Sequence, residues 1–379
     1  MKLFFAALPI QLSIALLMLS GCSGDPNAVG IGVLPAGDSL QVTALASAST
    51  SDVSFLSRVA GSSSILLVGQ SNDIEARTLL KFSGLSTIPS TAAIDSASLQ
   101  LTIGYRFKDS AGTLAFEVHN LLRTFPQGKF LWDSAMAPGT YSDTIVGRII
   151  RDISPQDTTI RVRIDTTFIK QWRSTDVGSV ILIPGGTIIA GASNVVTTAA
   201  DLRPALSVSY HDTSAQSMTL RSAAALFVAD GIIPAPADRI VLQAGVTNKA
   251  ILHFDSLTIP LKASITQAIL EVALDSTLSL TNGFTRDNID AFLERRSSAP
   301  YDSVITYGTP LGPVYVNGQK IYRANIKSIV QQWFLHEPNN GILLRATGEL
   351  TTLDRFVLYG TSAPAALRPK LTITYTLLP

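Results

Sequence analysis

Arg203-Pro204-Ala205-Leu206-Ser207-Val208-Ser209-Tyr210 returns 165 residues later as Arg368-Pro369-Lys370-Leu371-Thr372-Ile373-Thr374-Tyr375. After the Pro, both copies alternate apolar and polar side chains. That period of two belongs to a strand with one face buried and one face wet. Moving outward, the same alternation runs through Ser98-Leu99-Gln100-Leu101-Thr102-Ile103, and through Thr159-Ile160-Arg161-Val162-Arg163-Ile164 with its charges outward. Pro and Gly punctuate these runs, as turns require.

The recurrence is not confined to one strand. Leu79-Leu80-Lys81-Phe82 matches Ile251-Leu252-His253-Phe254, and Ile88-Pro89 matches Ile259-Pro260. Ile94, Ala97 and Leu99 match Ile265, Ala268 and Leu270. Trp132-Asp133-Ser134 matches Tyr301-Asp302-Ser303, and Gly139-Thr140 matches Gly308-Thr309. Gln171-Trp172 matches Gln332-Trp333, and Gly178 matches Gly341. The order is kept throughout, which chance does not produce. The sequence therefore predicts two homologous all-β domains, 37–212 and 218–379, with the polar stretch 213–217 as linker. Many short strands with regular turn punctuation indicate a sandwich or jelly roll.

One short helix is expected in each domain. Phe168, Ile169 and Trp172 share a helical face after Asp165-Thr166, and Ile329, Val330 and Trp333 do so after Asn325. Asp165 (or Thr166) and Asn325 are suited to cap these helices, because a side-chain oxygen takes an orphan N–H of the first turn. The spacing assigns both Trp residues to core packing at one end of each sandwich. A sugar-stacking role is the alternative.

Composition bounds the function. The chain has 379 residues, 29 Lys+Arg and 28 Asp+Glu, for a net charge of +1, which argues against a strongly basic nucleic-acid binder. Hydrophobic residues reach 46% and charged residues only 15%, which excludes general disorder. The single Cys excludes an internal disulfide and a Cys-based zinc site. That Cys closes an N-terminal pattern: Lys2, an apolar run from Leu3 to Leu19, then Leu19-Ser20-Gly21-Cys22. A 17-residue helix would span about 26 Å, short for a bilayer crossing. The pattern resembles a bacterial lipobox, which implies cleavage of a 1–21 signal peptide, lipidation of Cys22 and a 22–36 tether. Ser23 after the Cys implies the outer membrane of a Gram-negative envelope. Asp25-Pro26-Asn27-Ala28-Val29-Gly30 onward also resembles the opening of an uncharacterised family of bacterial surface lipoproteins.

Taken in order, the repeated motifs resemble the DNRLRE-type domain, a β-sandwich of secreted bacterial proteins related to carbohydrate-binding jelly rolls. The resemblance covers most of 60–210 and 238–375. It rests on the Leu-Leu-x-Phe strand, the Ile-x-x-Ala-x-Leu strand, an aromatic-plus-acid loop, the helix ending in Trp and the closing Arg-Pro strand. Where a second Trp is expected after Trp132, this chain offers Tyr141, and Tyr307 in the second copy. The resemblance implies a fold more firmly than a ligand.

Few residues carry recognisable chemistry. No nucleophile elbow, Walker loop or dinucleotide glycine pattern occurs, and Pro338 after His336-Glu337 interrupts any helical zincin motif. Asp133 and Asp302 are equivalent positions in separate domains, which fits turn capping better than a shared glycosidase cleft. A structural calcium is left open. Asn72-Asp73-Ile74-Glu75 is the densest acidic cluster beside a repeat strand, but its counterpart Val246-Thr247-Asn248 has no carboxylate. Arg203 and Arg368 are placed to pair with a carboxylate. The expected protein is a lipid-anchored, non-catalytic envelope module holding glycan or another surface polymer, with no catalytic or metal residues assigned. The alternative is a structural or assembly lipoprotein that binds other envelope proteins.

Overall fold

The computed structural model describes residues 41–56, 63–71, 74–126, 130–231, 234–255, 257–260, 263–281, 288–301, 306–335 and 337–377. Cys22, Asn72, Asp73, Asp302 and His336 lie outside them. Among the described residues the protein is all-β, with two curled, sandwich-like sheets and three short helices.

The strands in chain order begin with an open hairpin, β1 (Gln41–Ala48) and β2 (Ser51–Leu56), whose strands pair with other strands and not with each other. A first body follows: β3 (Ile65–Ser71), β4 (Ile74–Ser83), β5 (Ala93–Phe107), β6 (Gly112–Leu121), β7 (Tyr141–Ile153), β8 (Thr159–Ile164), β9 (Val177–Gly186), β10 (Ile189–Ser193) and β11 (Ala205–His211). A second open hairpin of the same kind comes next, β12 (Ala215–Arg221) and β13 (Ala224–Asp230). The second body repeats the first: β14 (Arg239–Gln243), β15 (Asn248–His253), β16 (Ala263–Ala273), β17 (Ile289–Leu293), β18 (Thr306–Val316), β19 (Gln319–Asn325), β20 (Ile342–Ala346), β21 (Arg355–Tyr359) and β22 (Lys370–Leu377). The helices are α1 (Trp132–Met136), α2 (Thr166–Thr175) and α3 (Lys327–Leu335). Helix α1 is an addition to the single helix expected in the first copy. Its amides at Ser134 and Ala135 turn back onto the Leu131 carbonyl.

The strand pairings correct the expected boundaries. β12 runs antiparallel to β11, and β13 to β4, so residues 215–230 complete the first sheet. The 213–217 stretch is the turn into β12 and its first residues, not a linker. Reciprocally, β1 pairs with β22 and β2 with β15, so residues 41–56 complete the second sheet. The two seats are equivalent. Met218 stands opposite Val208 as Leu45 stands opposite Ile373, at matching positions of the repeat. The physical reason lies in strand edges. An edge strand needs hydrogen-bond partners wherever they come from in the chain, and polar sequence alone does not mark a linker.

Each sheet wraps its own core. Leu80, Phe82, Leu99, Leu101, Val162, Leu182, Leu206 and Val208 are buried together in the first. Leu252, Phe254, Leu270, Val272, Leu344, Leu371 and Ile373 are their counterparts in the second. The alternation read from β5, β8, β11 and β22 is what delivers these side chains to one face.

A third apolar cluster joins the two sheets. The outer face of the first contributes Leu67, Ile74, Tyr105, Phe107 and Phe227, and the second sends Val246 and Leu353 into it. A bulge in β5 makes this seam. Ile103 pairs with Ala192, but Tyr105 pairs with Gly191, so the register shifts at Gly104. One extra residue reverses which face the strand presents. Tyr105 and Phe107, which simple alternation places beside Ile103, point outward to the seam instead. There the Tyr105 hydroxyl accepts the Leu353 N–H at 3.0 Å. The loop bearing Leu353 is tied back by a buried ion pair, Lys249 Nζ to Glu349 at 3.0 Å.

The helices hold as read. Asp165 Oδ1 accepts the Thr167 N–H at 2.8 Å, and Asn325 Oδ1 accepts the Lys327 N–H at 3.1 Å. Trp172 is 5% exposed, packs in the first core, and donates Nε1–H to Asn120 Oδ1 at 2.9 Å. It lies flat on Gly178, where an added Cβ would come within 2.5 Å of the ring. Trp333 packs against the second core but is only half-buried. Trp172→Ala is therefore expected to cost about 3–5 kcal/mol, the usual range for a buried large side chain cut to Ala. Trp333→Ala should cost less. Denaturant titration of the two full-length variants checks the order, and equal losses would contradict this packing.

Candidate functional site

Features repeated in both bodies are first candidates for architecture, and features present in one body alone are candidates for function. An open cleft of about 790 Å³ lies between the two sheets. One wall is the end of β5 beyond the bulge, with Tyr105, Arg106, Lys108 and Ser110. The other is the loop after β16, with Ser276 and Thr281, together with Tyr315 and Lys320.

Tyr315 and Lys320 stand opposite each other on β18 and β19. The turn between them is Asn317-Gly318, with both residues at positive φ, 51° and 80°. Such a two-residue turn matches the twist of the strands it joins, which fixes the register and so the Tyr–Lys pair. The Tyr315 side is 72% exposed, the most exposed large apolar or aromatic residue among the described ones. The corresponding β7–β8 connection offers no Tyr. Its Asp157 instead accepts the Ser154 N–H and hydroxyl, and these contacts hold that carboxyl below the usual range.

The walls are preorganised. Arg106 donates to the Ser154 and Asp157 carbonyls at 2.9 and 2.6 Å, which fixes its guanidinium at the cleft edge. Lys108 occupies a left-handed conformation with φ 60°. On the opposite side Asp275 organises the loop, taking the Thr277 N–H and hydroxyl and Arg239 Nε. Burial opposes ionisation of Asp275, but these hydrogen bonds prevail and keep its carboxyl below its ordinary range. The described lining thus carries three cationic side chains, several hydroxyls and one open aromatic face, and no carboxylate.

The residues singled out by sequence do not converge on this cleft. Asp133 is exposed in the first turn of α1, whose N-cap is Leu131, while Asp302 lies outside the described residues. Glu75, the described carboxylate of the acidic cluster, pairs with Arg77 at 2.6 Å. Among the described residues no three His, Cys, Asp or Glu side chains gather as a metal would require. Arg203 meets the Asp201 carboxylate through Nε at 3.0 Å and Nη2 at 2.6 Å, whereas Arg368 donates to the Ala363 carbonyl at 2.7 Å. Among the described residues the paired carboxylate belongs to the first copy alone. Tyr315 and Lys320 were missed. The signal for them was Asn317-Gly318 flanked by Tyr315-Val316 and Gln319-Lys320, a strong short-range hairpin pattern.

Comparison with known proteins adds little. No family model matches the chain, and no curated protein matches it. Two solved structures align weakly. One is the infectious bursal disease virus Gx strain, at 12% identity over 90% of this chain and 78% of that one, with a TM-score of 0.14. The other is the N-terminal CBM22-1-CBM22-2 tandem domain from Paenibacillus barcinonensis Xyn10C, at 8% identity over 90% and 93%, with a TM-score of 0.12. No residue correspondence is drawn from either.

The Asp201–Arg203 pair gives a pH prediction. Hydrogen bonding from Arg203 lowers the Asp201 pKa from 3.8 to about 2. A depressed carboxylate contributes its full stabilisation above its unfolded pKa and loses it as pH falls through the folded one. Part of the stability lost between pH 4 and pH 2 should therefore vanish in Asp201→Asn. Unfolding free energy measured across that interval checks it, and an unchanged slope contradicts it.

Proposed function

We propose that the protein is a lipid-anchored, non-catalytic binding module of the bacterial envelope, with two DNRLRE-like sandwiches that hold an acidic glycan or similar surface polymer in the cleft between them. The observation that carries this reading is the Tyr315–Lys320 pair, projected beside Arg106 and Lys108 on walls without a described carboxylate. A sugar ring has one apolar face, which stacks on an aromatic side chain. Its hydroxyls suit Ser276 and Thr281, and its acid groups suit the cations. Paired carboxylates, the usual means of glycoside cleavage, are not among the described lining residues. The lipobox reading of Cys22 supplies the anchor. Two acyl chains hold a protein stably to a bilayer where one does not.

A second reading, assembly with other envelope proteins, draws on β7. This 13-residue strand ends its sheet, and Ile150 on it is 67% exposed. β8 covers part of that edge, where the Asp165 N–H meets the Val146 carbonyl, so the template for a further strand is the stretch around Ile150.

Tyr315→Ala and Lys320→Ala should each weaken binding of polygalacturonate by about tenfold, roughly 1.4 kcal/mol, with unchanged thermal unfolding. Isothermal titration measures this, and full affinity in both variants would overturn the cleft assignment. For the anchor, Cys22→Ser should move the protein from the membrane to the soluble fraction. Retention at the membrane would contradict lipidation there.

A further inference from the structure

The two hairpins occupy equivalent seats but are held very differently. β13 is buried along Ala225–Ala229, between the first core, the seam and the cluster around Phe125 and Phe130. Beside it, Tyr210 of β11 donates its hydroxyl to Gln216 of β12 at 2.9 Å. The N-terminal hairpin has none of this. Among its described side chains only Leu45 and Phe55 pack against apolar clusters, and both are themselves half-buried. Val53 and Leu56 are 38% and 43% exposed. What holds it is main chain: eight residue pairs with β22 and six with β15. A few polar ties to the backbone help, such as Asp52 accepting the Thr361 N–H at 2.6 Å.

We propose that the N-terminal hairpin β1–β2 is an exchangeable closing element, and that the seat on the second body also accepts this hairpin from a second copy of the chain. Three features lead there. First, the hairpin buries little, so it opens at a lower free energy than either core. Second, its release bares the outer edges of β22 and β15 together, an arrangement whose complement is a hairpin of this spacing and register. Third, the same pairings form whichever copy supplies the hairpin, which is the condition for domain swapping. The first body takes no part in exchange, because β13 is locked by side chains in the seam. The hairpin of its own chain is always nearby, so the intramolecular form dominates in dilute solution and exchange grows with concentration.

The test uses full-length chains with Cys22→Ser, so that no native thiol interferes. Ala44 stands opposite Thr374, and such a cross-strand pair lies within disulfide reach. The double variant Ala44→Cys/Thr374→Cys should close a disulfide within one chain, and failure to close overturns the pairing itself. The two single variants are then mixed at high concentration under reductant, held, diluted and oxidised. Exchange predicts a disulfide-linked heterodimer at about tenfold the yield of a collision control, Ala44→Cys mixed with Thr198→Cys. Residue 198 is exposed in the first body. Heterodimer at no more than the control level, with the double variant closing normally, refutes exchange. Binding to polygalacturonate is independent of either outcome.

Discussion

The architecture depends on covering one pair of strand edges in each body. A nine-strand body curls into a sandwich and leaves two edges bare on one side, at β11 and β4 in the first copy and at β22 and β15 in the second. Unpaired N–H and C=O groups along such edges are costly when dry and adhesive when wet. A two-stranded hairpin covers both edges at once. The first body takes the hairpin that follows it. The second body ends the described chain, and the hairpin that completes it comes from the opposite end. The first body with its own hairpin is therefore inserted, in chain order, within the second sheet.

That closure has consequences for the rest of the molecule. The chain crosses between the sheets twice, which holds them side by side, and the crossing is backed by the seam around Tyr105 and Leu353. The bulge at Gly104 turns Tyr105 and Phe107 into the seam. Arg106 and Lys108, next to them in sequence, line the cleft together with Tyr315 and Lys320. The candidate site is thus a product of two local devices, a bulge in one body and a tight turn in the other. Neither is duplicated in its partner copy.

Much of the fold was legible in the sequence because periodicity and repetition are local signals. The alternation in β5, β8, β11 and β22, the caps Asp165 and Asn325, and the burial of Trp172 were all readable. The assignment of hairpins to bodies was not. Leu45 and Met218 play the same part, but β1 and β2 are short and mostly polar or small on their open face, so they stand out weakly as repeats. The bulge was hidden for a different reason. Gly104 sits within an unbroken run from Leu99 to Phe107, and only the register of β10 shows that the strand turns over. Trp333 matches Trp172 in sequence yet is only partly buried, a matter of surroundings that helical spacing does not encode.

The most direct test of the closure is a methyl–methyl nuclear Overhauser measurement on the whole chain, with Leu, Ile and Val methyl groups labelled. In the second seat Leu45 stands opposite Ile373, and the equivalent position in the first seat is Val208. The account predicts a cross-strand contact between the Leu45 and Ile373 methyls and none between Leu45 and Val208. A Leu45–Val208 contact would mean that the N-terminal hairpin completes the body beside it, and the architecture described above would be wrong.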